Sequence, residues 1–82
     1  MQPAQSRAGR GLIAWSQGQL AEAAGVSLST VRDFEAGRRI PIANNMAAIR
    51  AALEGAGVVL IEANDHGAGV MLRKSGGQDG AG

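Results

Sequence analysis

Few side chains in this 82-residue chain can do chemistry: 8 lysines and arginines, 7 aspartates and glutamates, one histidine and no cysteine. His66 stands in the turn-rich stretch Asn64-Asp65-His66-Gly67-Ala68-Gly69 with no nucleophile beside it, and reads as an ordinary turn residue. Glu54, Glu62, Asp65 and Asp79 lack the spacing of a metal-binding loop. The pairs Gly55-Ala-Gly57 and Gly67-Ala-Gly69 lack a third glycine, and the first precedes an apolar run where a dinucleotide fingerprint would follow one. Neither catalysis, a metal nor a cofactor is expected. Without thiols, neither a disulfide framework nor a thiolate zinc site can brace the fold.

What remains is anion recognition. The net charge is only +1, but it is unevenly spread. Residues 1–50 carry Arg7, Arg10, Arg32, Arg38, Arg39 and Arg50 against Glu22, Asp33 and Glu35, whereas the acids outnumber the bases in residues 51–82. An anionic partner would dock on the basic half. Arg7 and Arg50 read as solvated charges.

The elements that must position these residues are short. The hydrophobic fraction of 45% includes 16 alanines and only 2% of the chain is aromatic, so the core is small and close-packed helices are favoured. Ala8, Leu12 and Ile13 recur at helical spacing and predict a first helix over 4–14, despite Gly9 and Gly11. Ser16 with Gln19 forms a capping box, and Trp15 with Leu20 the matching hydrophobic staple, so a second helix starts at Gln17 and stops at Gly25. Trp15 is thereby a core residue. Ser27 repeats the device with Val26 and Val31, opening a third helix over 28–36 closed by Gly37. A fourth begins near residues 42–44 and ends at Gly55 or Gly57, with Met46, Ile49 and Leu53 on one stripe. The period then changes, and Val58-Val59-Leu60-Ile61 and Val70-Met71-Leu72 predict a β-hairpin. The chain thus divides into helices over 1–57, a hairpin over 58–74 and a glycine-rich tail over 75–82 that should be disordered. No apolar run is long enough to span a membrane and no leader is evident, so a soluble cytoplasmic protein is expected.

Two short helices joined by Ala24-Gly25-Val26-Ser27 meet the requirements of a helix-turn-helix, with a glycine to turn the chain and a staple at each entry to fix the crossing angle. The residues carry the comparison further. Ser16-Gln17, Leu20-Ala21, Gly25-Val26-Ser27, Thr30-Val31, Phe34-Glu35, Gly37 and Pro41 follow in order without a gap, and the segment 16–41 resembles the Cro/C1-type helix-turn-helix of phage repressors and XRE-like bacterial regulators. With the flanking helices, the resemblance extends over about residues 4–56.

The resemblance implies a mainly α fold, a four-to-five-helix lambda-repressor-like bundle here followed by the hairpin. It also implies sequence-specific binding of double-stranded DNA by a transcriptional regulator, such as a repressor. The third helix would lie in the major groove, with Leu28, Ser29 and Asp33 facing bases and Thr30 and Arg32 flanking them. Leu28 suits a thymine methyl, Ser29 either base type and Asp33 a cytosine amine. Gln17 at the start of the second helix, with Arg38 and Arg39 beyond the third, would hold phosphates. Arg10 and Glu35 would form a partly buried structural ion pair between the first and third helices. Leu28 and Asp33 depart from the family's commoner polar readers, and Asp33 would repel phosphate.

The first strand is apolar on both faces, Val58 and Leu60 on one and Val59 and Ile61 on the other, and an isolated hairpin is marginal. Pairing with a second chain through residues 58–74 would cover the exposed face and suit a palindromic operator with half-sites about 34 Å apart. The competing arrangement is a monomer whose hairpin folds back on the fourth helix. A second functional reading keeps the same fold as a protein-interaction module, for instance an antitoxin holding a toxin.

Overall fold

Local capping signals set the ends of the first three helices in the computed structural model, which describes residues 1–74; the tail expected to be disordered, 75–82, lies outside the described residues. There are four helices, α1 (Pro3–Ile13), α2 (Gln17–Ala24), α3 (Leu28–Glu35) and α4 (Ala43–Gly55), followed by strands β1 (Val58–Ile61) and β2 (Gly69–Leu72). Three helices end in the same way. The chain turns left-handed at Ala14 (φ 58°), Gly25 (φ 70°) and Gly37 (φ 74°). The amides that follow each helix then fold back on its last carbonyls. Trp15 N–H donates to Arg10 C=O at 3.0 Å, Val26 N–H to Ala21 C=O at 3.0 Å and Arg38 N–H to Asp33 C=O at 2.9 Å.

The first two of these ends run directly into the next helix. In both Ala14-Trp15-Ser16 and Gly25-Val26-Ser27, a left-handed residue is followed by a hydrophobic residue and then by a capping serine. Ser16 Oγ accepts from Gln19 N–H at 3.0 Å while Gln19 Oε1 accepts from Ser16 N–H at 2.8 Å; Ser27 Oγ accepts from Thr30 N–H at 3.1 Å. Trp15 and Val26 pack beside the core, and their staple partners Leu20 and Val31 are fully buried in it. One three-residue device thus ends a helix, anchors the chain and starts the next helix twice, fixing the mutual angle of α2 and α3.

Leu20, Ala21, Val31, Phe34, Ile49 and Leu53 form the core together with Val58 and Leu60 of β1. The hairpin therefore shares the helices' core. Its strands are antiparallel with Val58 opposite Leu72 and Ile61 opposite Gly69, so Val58, Leu60, Val70 and Leu72 lie on one face and Val59, Ile61 and Met71 on the other. On the first face Val58, Leu60 and Val70 pack into the core against α1 and α4 while Leu72 at its end is exposed; on the second, Val59 and Ile61 are half-buried and Met71 is exposed.

The inner face of α1 differs from the one its apolar spacing suggests. Ala8 and Leu12 are exposed, Ile13 packs half-buried beside the core, and the buried residues are Gln5, Ser6 and Gly9. Each has a specific task. Gln5 Nε2 donates to Ile61 C=O at 2.9 Å and to Gly69 C=O at 3.0 Å, tying both strands to the helix. Gly9 lets α1 approach so closely that an added Cβ would stand 3.3 Å from Val58 Cγ1 and 3.4 Å from Leu53 Cδ2. Ser6 reaches toward α3, described below.

Candidate nucleic-acid interface

The third helix is anchored from behind by one carboxylate. Glu35 is buried at the end of α3, and its side chain takes hydrogen bonds from three residues on two other helices. Arg10 binds it with two nitrogens, Nη2 to Oε1 at 2.7 Å and Nε to Oε2 at 2.9 Å. Ser6 Oγ donates to Oε2 at 2.6 Å and Gln17 Nε2 to Oε1 at 3.1 Å. Burial pushes the Glu35 carboxyl up. The hydrogen bonds from Arg10, Ser6 and Gln17, with the charge of Arg10, outweigh burial and hold it below the usual carboxylate range. Arg10 is raised in turn, chiefly by its hydrogen bond to Glu35, against burial and with the help of the carboxylate charge. A charge-assisted fork of this kind fixes direction as well as distance, so α1, α2 and α3 are locked around one point.

Arg7 joins the same assembly. It reads from sequence as a solvated charge, but its Nη1 donates to the main-chain carbonyl of Glu35, one of the acceptors that the end of a helix leaves open. Arg10 Nη1 also donates to Trp15 C=O at 2.9 Å, bracing the link from α1 to α2. Sequence reasoning missed Arg7, Ser6 and Gln5. Ser6 was within reach, because it lies one turn from Arg10 and faces whatever Arg10 faces. Arg50, also read as solvated, pairs with Glu54 at 3.1 Å and Glu62 at 3.3 Å on the surface.

The front of α3 faces outward. Val31, Phe34 and Glu35 point inward, leaving Leu28, Ser29 and Arg32 exposed and Thr30 and Asp33 half-buried. The hydroxyls of Ser29 and Thr30 lie 3.2 and 2.8 Å from Ser27 Oγ, a small polar cluster over the first turn. Arg38 and Arg39 follow immediately and are exposed, their amides bonded to Asp33 C=O at 2.9 and 3.3 Å. Arg38 also approaches the Asp33 carboxylate at 3.8 Å, a loose and largely solvated pair. With Arg7, Arg10 and Arg50 committed to partners within the chain, the cations of the basic half left for an outside anion, among the described residues, are Arg32, Arg38 and Arg39 on α3 and the turn after it.

Gln17 stands apart from these arginines as the first residue of α2, with its side-chain amide turned toward Glu35. A groove of about 220 Å³ runs between the front of α3 and the link to α4, with Ser29, Thr30 and Asp33 on one wall and Arg39, Ile40 and Ile42 on the other. His66 is exposed in the hairpin turn, where its amide donates to Asn64 Oδ1 at 2.7 Å. Among the described residues, no cluster of histidines and carboxylates is placed to hold a metal, and no helix is long and apolar enough to cross a membrane.

A stapled pair of short helices, the second held from behind and bare in front, defines a helix-turn-helix domain within a four-helix bundle. Comparison with protein families supports the same assignment, for residues 4–64 match the model described as a helix-turn-helix domain. The chain belongs to this helix-turn-helix family, whose character is DNA binding and regulation. No curated protein matches the chain.

Proposed function

We propose that the protein is a sequence-specific regulator of transcription that lays α3 in the major groove of double-stranded DNA and acts in the cytoplasm as a homodimer on a palindromic operator. The observation that carries this reading is the division of α3 into a fully engaged rear and an outward-facing front, with two exposed arginines just beyond its end. In this reading Leu28, Ser29 and Asp33 meet base edges, with Thr30 and Arg32 beside them. Arg38 and Arg39 bind phosphates. Gln17 contributes through the open amide end of α2, its side chain serving Glu35. The 58–74 hairpin pairs the two copies through its outer face. No catalytic role and no cofactor are proposed.

The test is selection from a random duplex pool, followed by fluorescence anisotropy on the enriched sequence at two salt concentrations. A palindrome should emerge, and Arg38→Ala/Arg39→Ala should reduce the slope of log K against log salt by about 0.9 per arginine. Absence of enrichment together with absence of salt-sensitive binding refutes the reading. It would favour the second one, a protein-interaction or antitoxin module, for which the exposed Met71 and Leu72 are the motivating observation.

A further inference from the structure

The two most exposed large hydrophobic side chains among the described residues are neighbours, Ile40 at 84% and Ile42 at 69% exposure, on either side of Pro41. Solvent-facing isoleucines at both shoulders of a rigid proline contribute little to the fold, since the bundle's core closes without them. Their position is specific. Together with Arg39 they form one wall of the groove whose other wall is the outward face of α3.

We infer that this wall is an apolar part of the DNA interface, where Ile40 and Ile42 cover C–H groups of the duplex, either deoxyribose or a thymine methyl at the groove edge. The inference rests on the DNA-binding reading and deepens it. Three observations favour DNA as the occupant. The patch is continuous with the front of α3 through a single groove. Arg39 and Arg38, the latter only loosely paired with Asp33, precede it directly, so a strand drawn to those charges passes over the isoleucines. The groove is also open and small, with Asp33 on its far wall. That carboxylate turns phosphate toward the Arg39 side and leaves the less polar sugar and base edge for the apolar surface.

This division of labour separates affinity from salt dependence. An apolar contact releases no counterions, so its loss weakens binding at every salt concentration by the same factor. Ile40→Ser/Ile42→Ser should therefore bind the selected operator about tenfold or more weakly, as expected for uncovering two aliphatic side chains, with the salt slope unchanged. Arg39→Ala should lower the slope by about 0.9. Uracil in place of each operator thymine distinguishes the two sources. If a thymine methyl is the contact, one replacement weakens the wild type and leaves the serine variant unaffected; if deoxyribose is the contact, the serine variant is weaker and no replacement reproduces it.

Because both isoleucines are exposed and a serine at position 42 can cap α4, whose N-cap residue Ile42 makes no side-chain bond, the serine variant keeps or raises its thermal midpoint, which a melting curve verifies on the same sample. Wild-type affinity in a folded serine variant overturns the inference while leaving the DNA reading intact, provided the arginine variant still loses its slope. Wild-type DNA affinity accompanied by loss of self-association also overturns it, since the patch would then be a protein contact. If the wild type shows no salt-sensitive duplex binding at all, the DNA reading falls and takes this inference with it.

Discussion

Glu35 shows how one residue can set the posture of a helix whose proposed reading face it lies behind. Its carboxylate is shared by Arg10, Ser6 and Gln17, so its loss leaves the buried Ser6 and the half-buried Arg10 and Gln17 without that acceptor, whereas the Arg7 bond to its main-chain carbonyl does not depend on the side chain. Glu35→Gln should cost about 3 kcal/mol, the low end for breaking a buried pair, because the Arg10 side chain retains 18% exposure. Urea titration would read this as a lower midpoint at unchanged slope. The pH dependence follows from the direction of the shift. With its folded pKa below the unfolded value, Glu35 contributes stability that is fully present above the ordinary carboxylate range and is lost as pH falls through the folded pKa. The wild type should therefore weaken on acidification toward that pKa more steeply than Glu35→Gln, and equal slopes for the two proteins would refute the role given to this carboxylate. The Arg10–Glu35 pair was legible through the family resemblance. Arg7 was not, because its acceptor is a main-chain carbonyl brought near only by tertiary packing.

Among the elements, the links are better specified than the helices they join. Gly25, Val26 and Ser27 announce a left-handed stop, a staple and a cap in three letters, and the structure places all three as read. The matching link at residues 14–16 is half hidden, because alanine gives no sign that it will adopt φ 58°. This has an energetic consequence. A left-handed conformation costs an L-residue about 1–2 kcal/mol that glycine escapes, offset in part by the greater unfolded freedom of glycine. Ala14→Gly should accordingly stabilise the domain by about 0.5–1 kcal/mol, and Gly25→Ala should destabilise it by about 1 kcal/mol. For a domain of this size each kcal/mol moves the thermal midpoint by about 4–8 °C, so calorimetry resolves both signs. The inner face of α1 was illegible for a different reason. Hydrophobic periodicity finds faces buried by apolar packing, whereas Gln5 and Ser6 are buried by hydrogen bonds to groups far away in sequence. Gln5→Ala, which leaves Ile61 C=O and Gly69 C=O without that donor, should cost about 1–3 kcal/mol. It should also lower hydrogen-exchange protection across residues 58–72 more than across α2 and α3.

For the whole molecule, the hairpin decides between two assemblies. Its inner face belongs to the same core as the helices, so one copy folds with the hairpin laid on its own α1 and α4. Its outer face carries Val59, Ile61 and the exposed Met71 side by side, and is the surface offered to a second copy in the proposed dimer. An eight-residue α3 spans about 12 Å, enough for a few base pairs, so a sequence-specific regulator gains from a second α3 one helical turn away. Met71→Glu places a charge at the centre of that outer face while leaving the inner face, Gln5 and α3 untouched. The wild type should sediment as a dimer, and Met71→Glu as a folded monomer that still melts cooperatively. On a palindromic duplex the monomer should bind each half-site independently. On a single half-site the two proteins should be indistinguishable, because the reading surface is unchanged. If Met71→Glu remains dimeric and binds the palindrome as the wild type does, the two copies meet somewhere other than the hairpin. If the wild type is itself monomeric at concentrations where it occupies the palindrome fully, the operator assembles the pair and the hairpin serves only to brace α1 against α4.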